Sequence, residues 1–178
     1  PQVGVVIESG PTDWQIVQRD ARGLGHFALA GRWVFETAGQ VEARLVREDS
    51  GAPLGAELDW RPLETRPDGT WSGQLARVPA GGLYRLETRF HNEGNLAGEW
   101  SPRGDMRHHL GVGELWVIAG QSNSAGYGRG PIDDPPELGL HLLRNNERWD
   151  LATHPMNEST DTRHPVNREG GNPGHSPY

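Results

Sequence analysis

An antiparallel β-sandwich is the fold class that the sequence predicts for the first 111 residues. Three observations predict it. The chain of 178 residues holds 25 glycines and 14 prolines while only 34% of it is hydrophobic, the composition of short strands joined by many turns. Apolar residues alternate with polar ones in short runs, most cleanly in Gly82-Leu-Tyr-Arg-Leu-Glu-Thr-Arg-Phe90, where Tyr84, Leu86, Thr88 and Phe90 fall on one face. No stretch before residue 110 carries the three-to-four-residue apolar stripe of a long helix.

In chain order, Val3-Gly-Val-Val-Ile7 is apolar, and Trp14-Gln-Ile-Val-Gln18 and His26-Phe-Ala-Leu-Ala30 partly alternate. Trp33-Val-Phe35 follows Gly31 and reads as a new strand after a glycine turn. Val41 to Arg47 places Val41, Ala43 and Leu45 on one face. Pro53, Pro62 and the Pro67-Asp-Gly69 turn punctuate the next stretch, with Trp60 and Trp71 as candidate core anchors. Strands at this spacing suggest a sandwich of immunoglobulin or fibronectin type. Asn92 to Gly111 is rich in glycine, proline and polar residues, and the domain boundary is expected near Gly111–Gly113, giving units 1–111 and 112–178.

The second unit opens on Leu115-Trp-Val-Ile-Ala119, read as a buried strand that runs into the sharp turn Gly120-Gln-Ser-Asn123. Such a turn lifts a serine above a sheet, which makes Ser122 the candidate nucleophile. Ser124 to Gly130 is at most the start of a short helix, weakened by three glycines, and Pro131 to Pro136 is a loop. His141-Leu-Leu-Arg144 and Arg148-Trp-Asp-Leu151 read as paired strands around Asn145-Asn146. The polar tail from Thr153 to Gly174 reads as a substrate-shaping loop or an unsupported end, and Pro173 to Pro177 as the approach to a helix.

Acidic residues (24) outnumber Lys and Arg (17) for a net charge of -7, and no basic run could track a phosphate backbone, so nucleic acid is not an expected partner. No apolar stretch is long enough to span a bilayer, and no membrane association is expected. The absence of cysteine excludes disulfides and thiolate metal sites. The eight histidines include the adjacent His108 and His109, but they show no His-x-x-x-His spacing, so neither a metal site nor a cofactor is expected. Gly126-Tyr-Gly-Arg-Gly130 lacks the Lys-Ser/Thr end of a P-loop and reads as a pocket wall, with Arg129 solvated or facing an anionic sugar.

Trp116-Val-Ile-Ala-Gly-Gln-Ser-Asn-Ser124 resembles the first sequence block of the SGNH (GDSL-like) hydrolases, in the Gly-Gln-Ser-Asn form of sialate O-acetylesterases and certain acetyl xylan esterases. The section through Asn172-Pro-Gly-His-Ser-Pro-Tyr178 resembles the region immediately after that block in such proteins. The resemblance covers residues from about 110 onward and implies the beginning of an α/β esterase domain. It also implies a carbohydrate O-acetylesterase acting on sialic acids or plant polysaccharides in a secreted or periplasmic setting. Only one strand of such a domain is evident, so the rest is expected outside these residues, in a longer polypeptide or in a second fragment of the same protein.

Ser122 would attack an ester carbonyl once a neighbouring histidine, oriented by a carboxylate, takes its proton, and its own backbone amide would face the developing oxyanion. The resemblance carries over Ser122 as nucleophile, with Gln121 and Asn123 as neighbours that hold the turn or contact substrate. Its Asp-x-x-His dyad lies near the C-terminus of such proteins. Asp161-Thr-Arg-His164 has that spacing after the serine and is a rival for the dyad, whereas Asp105-Met-Arg-His108 precedes the serine and reads as a structural turn. A different class of function remains beside the esterase: a non-catalytic carbohydrate-associated binding or structural module, motivated by the seven tryptophans. Most of those tryptophans are expected in the core.

Overall fold

The computed structural model of the chain describes residues 4–35, 38–92, 101–121, 124, 134–157 and 162–163. The chain divides into two compact units, Pro1–Glu114 and Leu115–Tyr178. The first unit is nearly all β. Its strands are β1 (Gly4–Ser9), β2 (Ile16–Gln18), β3 (Leu24–Val34), β4 (Gly39–Arg47), β5 (Arg61–Pro62), β6 (Glu64–Thr65), β7 (Thr70–Pro79), β8 (Gly81–Asn92) and β9 (Arg103–Gly113). The one helical turn among its described residues is the 3-10 segment Ala56–Leu58.

These strands form two sheets, ordered β1-β3-β7-β6 and β2-β9-β8-β4-β5. All pairs are antiparallel except β2 with β9, which run parallel in the register Ile16 to Gly111 and Gln18 to Gly113. The sheets share one core. Val5, Ile7, Phe27, Leu29, Trp71, Leu75 and Val78 come from the first sheet and Val41, Ala43, Leu45, Tyr84, Leu86, Phe90, Leu110 and Val112 from the second. The period-two pattern decides which residues these are, because each strand gives every other side chain to the interior. Trp71 is the largest of them, 1% exposed, with its indole N–H donating to the carbonyl of Arg32 at 3.0 Å.

Gly31 does not make a turn. His26-Phe-Ala-Leu-Ala30 and Trp33-Val34 belong to the single strand β3, which continues straight through it. A side chain at Gly31 would collide with the carbonyl of Val6 on β1 and with the ring of Trp71, so glycine there serves close approach of strands rather than reversal. The predicted Pro67-Asp-Gly69 turn is present: Gly69 adopts φ 84° and its N–H donates to the Arg66 carbonyl at 3.1 Å. From Arg103 on, the polar segment that precedes the expected boundary is the eleven-residue strand β9. Its Arg103 and Arg107 bond to Glu87 and to the Ile7 carbonyl, so polarity there is satisfied within the fold.

Trp60 is not a core anchor. It lies half-buried beside the second sheet with the guanidinium groups of Arg44 and Arg89 at 4.5 and 4.1 Å from its ring. The solvent-facing side of that sheet also holds Glu87, only 2% exposed, which accepts from Arg44 at 2.8 Å, Arg85 at 2.8 Å and Arg103 at 2.9 Å. Burial pushes the Glu87 carboxyl up, but the hydrogen bonds and charges of Arg44 and Arg85 outweigh it, so the group stays below its usual range.

In the second unit β10 (His141–Leu143) and β11 (Trp149–Leu151) pair as a hairpin, as the sequence around Asn145-Asn146 predicts. Glu147 takes φ 62° and its N–H donates to the Arg144 carbonyl at 2.9 Å, a type of three-residue loop that ends in a left-handed residue. Arg144 braces the hairpin through the Thr153 hydroxyl at 2.6 Å and the Leu151 carbonyl at 3.3 Å. Among the described residues there is no α-helix, and no helix long and apolar enough to cross a membrane.

Candidate functional site

The strand expected before the serine is not built. Leu115 to Ala119 lies outside every strand, with Trp116 85% and Val117 90% exposed. Among the described residues no sheet receives it. A run with no alternation suits a strand covered on both faces, and the described part of the second unit offers a two-stranded hairpin and no buried apolar side chain. Leu138, Leu140 and Leu143 are exposed there as well.

The Ser124 hydroxyl donates to the Gln121 carbonyl at 2.9 Å, and a Cβ at Gly120 would stand 2.7 Å from that hydroxyl oxygen. Any side chain at Gly120 would therefore push Ser124 off the Gln121 carbonyl. Gln121 is exposed at the bend. Ser122 and Asn123 lie outside the described residues, as do Asp161 and His164 of the rival dyad and Gly126–Gly130 with Arg129.

Asp105 and His108 do not act as a pair. Asp105 accepts the Ile7 N–H at 3.0 Å, joining β9 to β1, while His108 turns to Glu48. In the second unit His154 Nε2 lies 3.3 Å from Asp134, an Asp–His contact that no sequence spacing suggested.

A cluster the sequence did not predict surrounds the histidine doublet. Opposite the single residue Arg85, β9 carries two, His108 and His109, and His109 adopts φ 58°. His108 Nδ1 is 2.9 Å from Glu48 Oε1, and His109 Nδ1 is 2.8 Å from Glu48 Oε2. The His109 N–H also donates to Glu48 at 3.0 Å, and the His108 N–H donates to Asp13 at 2.8 Å. Trp14, itself at φ 67°, packs on His109 with ring centres 4.0 Å apart and the ring planes inclined by 31°. Only the doublet was visible in the sequence. Its carboxylate lies some sixty positions away, where no spacing rule reaches. Among the described residues no set of three or more His, Asp or Glu side chains is placed to hold a metal together.

The described tryptophans of the first unit are occupied within it. Trp71 is core, Trp33 stacks on Phe90 at 5.0 Å, Trp60 packs with arginines and Trp14 with His109. No protein-family model matches the chain, and no curated protein matches it significantly.

Proposed function

We propose that this chain carries the nucleophile of a carbohydrate O-acetylesterase of SGNH type, preceded by a β-sandwich accessory unit. The observation that carries the reading is Gly120-Gln-Ser-Asn123 directly after the apolar run Leu115–Ala119. The exposure of Trp116 and Val117 supports it, because a strand of this composition is covered on both faces once an α/β sheet forms around it. In this reading the Ser122 hydroxyl attacks the acetyl carbonyl and passes its proton to a histidine. The sugar hydroxyl leaves, and water then releases acetate from the acyl-enzyme. Asp161 and His164 are one candidate source of the base, and residues beyond this sequence are the other.

The first unit, in the same proposal, is an immunoglobulin-type sandwich. The orders β1-β3-β7-β6 and β9-β8-β4-β5 match the A-B-E-D and G-F-C-C′ sheets of that architecture. Tyr84, at the start of β8, donates its hydroxyl to the Pro79 carbonyl at the β7–β8 corner, the position of a tyrosine corner.

The test is release of acetate from p-nitrophenyl acetate, acetylated xylan and O-acetylated sialic acid by the complete polypeptide, whose intact mass is measured on the same sample. Ser122→Ala is expected to abolish turnover and leave the fold intact. Turnover retained in that variant would overturn the assignment. An inert wild-type protein that still binds glycan would favour the binding module.

A further inference from the structure

We propose that the solvent-facing side of the second sheet is a docking surface for an acidic oligosaccharide, whose carboxylate or sulfate groups it holds on Arg85, Arg89 and Arg103. Residues directly opposite one another on neighbouring strands stand on the same face of a sheet, and like charges so placed repel. Arg89 of β8 and Arg103 of β9 are such a pair. Arg89 donates its Nε–H to Glu42 on β4 at 2.6 Å, and Arg103 donates to Glu87 on β8 at 2.9 Å. The two arginines therefore turn to separate carboxylates and share none. Proteins break a local pairing rule of this kind at functional sites.

The carboxylates do not use up these guanidiniums. A guanidinium carries five N–H groups, and one carboxylate takes at most two of them as a fork. Arg85, Arg89 and Arg103 each meet a single carboxylate among the described residues, Glu87 for Arg85 and Arg103 and Glu42 for Arg89. Several N–H groups of each are thus left to water or to an anion. Arg103 is 56% exposed and the other two are partly exposed, so a ligand can reach them from solvent.

Charge and rigidity favour the same ligand. With Arg44, four guanidiniums face three carboxylates, Glu42, Glu87 and Asp59, so the cluster keeps a positive excess within a chain of net charge -7. The rest of the chain repels a long polyanion, and an acidic ligand engages here by a few groups only. Trp60 packs on Arg44 and Arg89, and the buried Glu87 ties Arg44, Arg85 and Arg103. Arginines held before the ligand arrives lose less side-chain entropy on binding it. The cluster reaches across β9, β8 and β4, two strand spacings or about 10 Å, which lets neighbouring acidic groups of one ligand bind together. The choice of a glycan among acidic ligands rests on the esterase reading; the anion-binding face does not.

The test is calorimetric titration of the full chain carrying Ser122→Ala, so that binding is read apart from turnover. The probes are an oligogalacturonate for carboxylates, a sulfated dextran oligomer for sulfates, a neutral xylo-oligosaccharide, a glutamate peptide and single-stranded DNA. At least one of the two acidic oligosaccharides is expected to bind, more weakly as salt rises, and at least about tenfold more tightly than the neutral one. Arg85→Gln and Arg103→Gln are each expected to weaken that binding about tenfold or more, the loss of a hydrogen bond between charged groups. Circular dichroism checks that the variants fold, and the exposed Arg103 decides the matter alone should Arg85→Gln not fold. No binding of either acidic oligosaccharide at millimolar concentration would overturn the proposal, as would equal binding of the neutral one or wild-type affinity in Arg103→Gln. Tighter binding of the peptide or of DNA would overturn the choice of a glycan. Acetate release by the protein with Ser122 intact tests the esterase separately, so an inert protein that still binds the acidic oligosaccharide keeps this surface and loses only the esterase.

Discussion

The hydroxyl of Tyr84 donates to the carbonyl of Pro79 across 3.0 Å, closing the corner where β7 turns into β8. The ring is buried, while Pro79 at the corner is exposed. Tyr84→Phe is expected to lower the unfolding free energy by about 1 kcal/mol, the net worth of one hydrogen bond. Urea denaturation would check it, with the slope unchanged. Burial also raises the Tyr84 pKa above its usual 10.0, against a smaller opposing pull from Arg47. The folded state thus favours the neutral phenol. Its contribution is complete below the unfolded pKa and is lost as pH rises through the folded one. The wild type should lose more stability above about pH 10 than Tyr84→Phe does.

Glu87 gives the opposite pH dependence. Its carboxyl lies below its usual 4.5 in the folded state, so its contribution is complete above that value and is lost as pH falls through the lowered one. Glu87→Gln should cost about 2 kcal/mol at neutral pH, the range for hydrogen bonds to charged groups. The gap between variant and wild type should close as pH drops below about 4.5. A gap that stays constant down to acid pH would contradict the assignment.

Gly31 and Gly113 should respond differently to alanine. A Cβ at Gly31 meets the Val6 carbonyl and Trp71, whereas at Gly113 the nearest atom is Ile16 Cγ2 at 3.6 Å. Thermal melts should show Gly31→Ala destabilised by about 2–3 kcal/mol or more from overpacking, with Gly113→Ala changed by less than about 1 kcal/mol.

At the proposed esterase turn, Gly120→Ala should displace Ser124 from the Gln121 carbonyl and reduce kcat/KM on acetyl esters by about 10–100-fold through misplacement of the turn. Ser124→Ala removes the obstructing oxygen. The double variant should recover part of the loss, which a double-mutant cycle measures as coupling between the two positions. Additive losses would show that the Gly120–Ser124 contact does not set the turn.

The parts of the fold that were legible in the sequence are those where the period of two is unbroken. Val41, Ala43 and Leu45 are fully buried, as alternation predicts, and Tyr84, Leu86, Thr88 and Phe90 form the adjacent row of the same sheet. β9 was not legible because Asp105 and Arg107 bond to β1 where an alternating strand would place apolar side chains, and its bulge interrupts the period. Gly31 misled because a glycine that lets two strands approach has the same letter as one that turns the chain. Trp60 misled because arginines can cover an indole in place of leucines. The run 115–119 shows another limit: composition states what a strand needs around it, and the described residues do not provide it. Of the proposed esterase site, Gln121 and the glycine before it fall within the described residues. The histidine cluster depends on a backbone conformation at His109 that no residue type announces.

The parallel pairing of Ile16–Gln18 with Gly111–Gly113 ties one of the earliest strands of the sandwich to its last. During synthesis β2 has no neighbour within its own sheet until residue 113 has emerged, a wait of several seconds at ~5–20 residues per second. Through that interval the apolar rows of β1, β3 and β4 lack the strand that completes their cover. The five-stranded sheet β2-β9-β8-β4-β5 therefore cannot be complete before Gly113 is available.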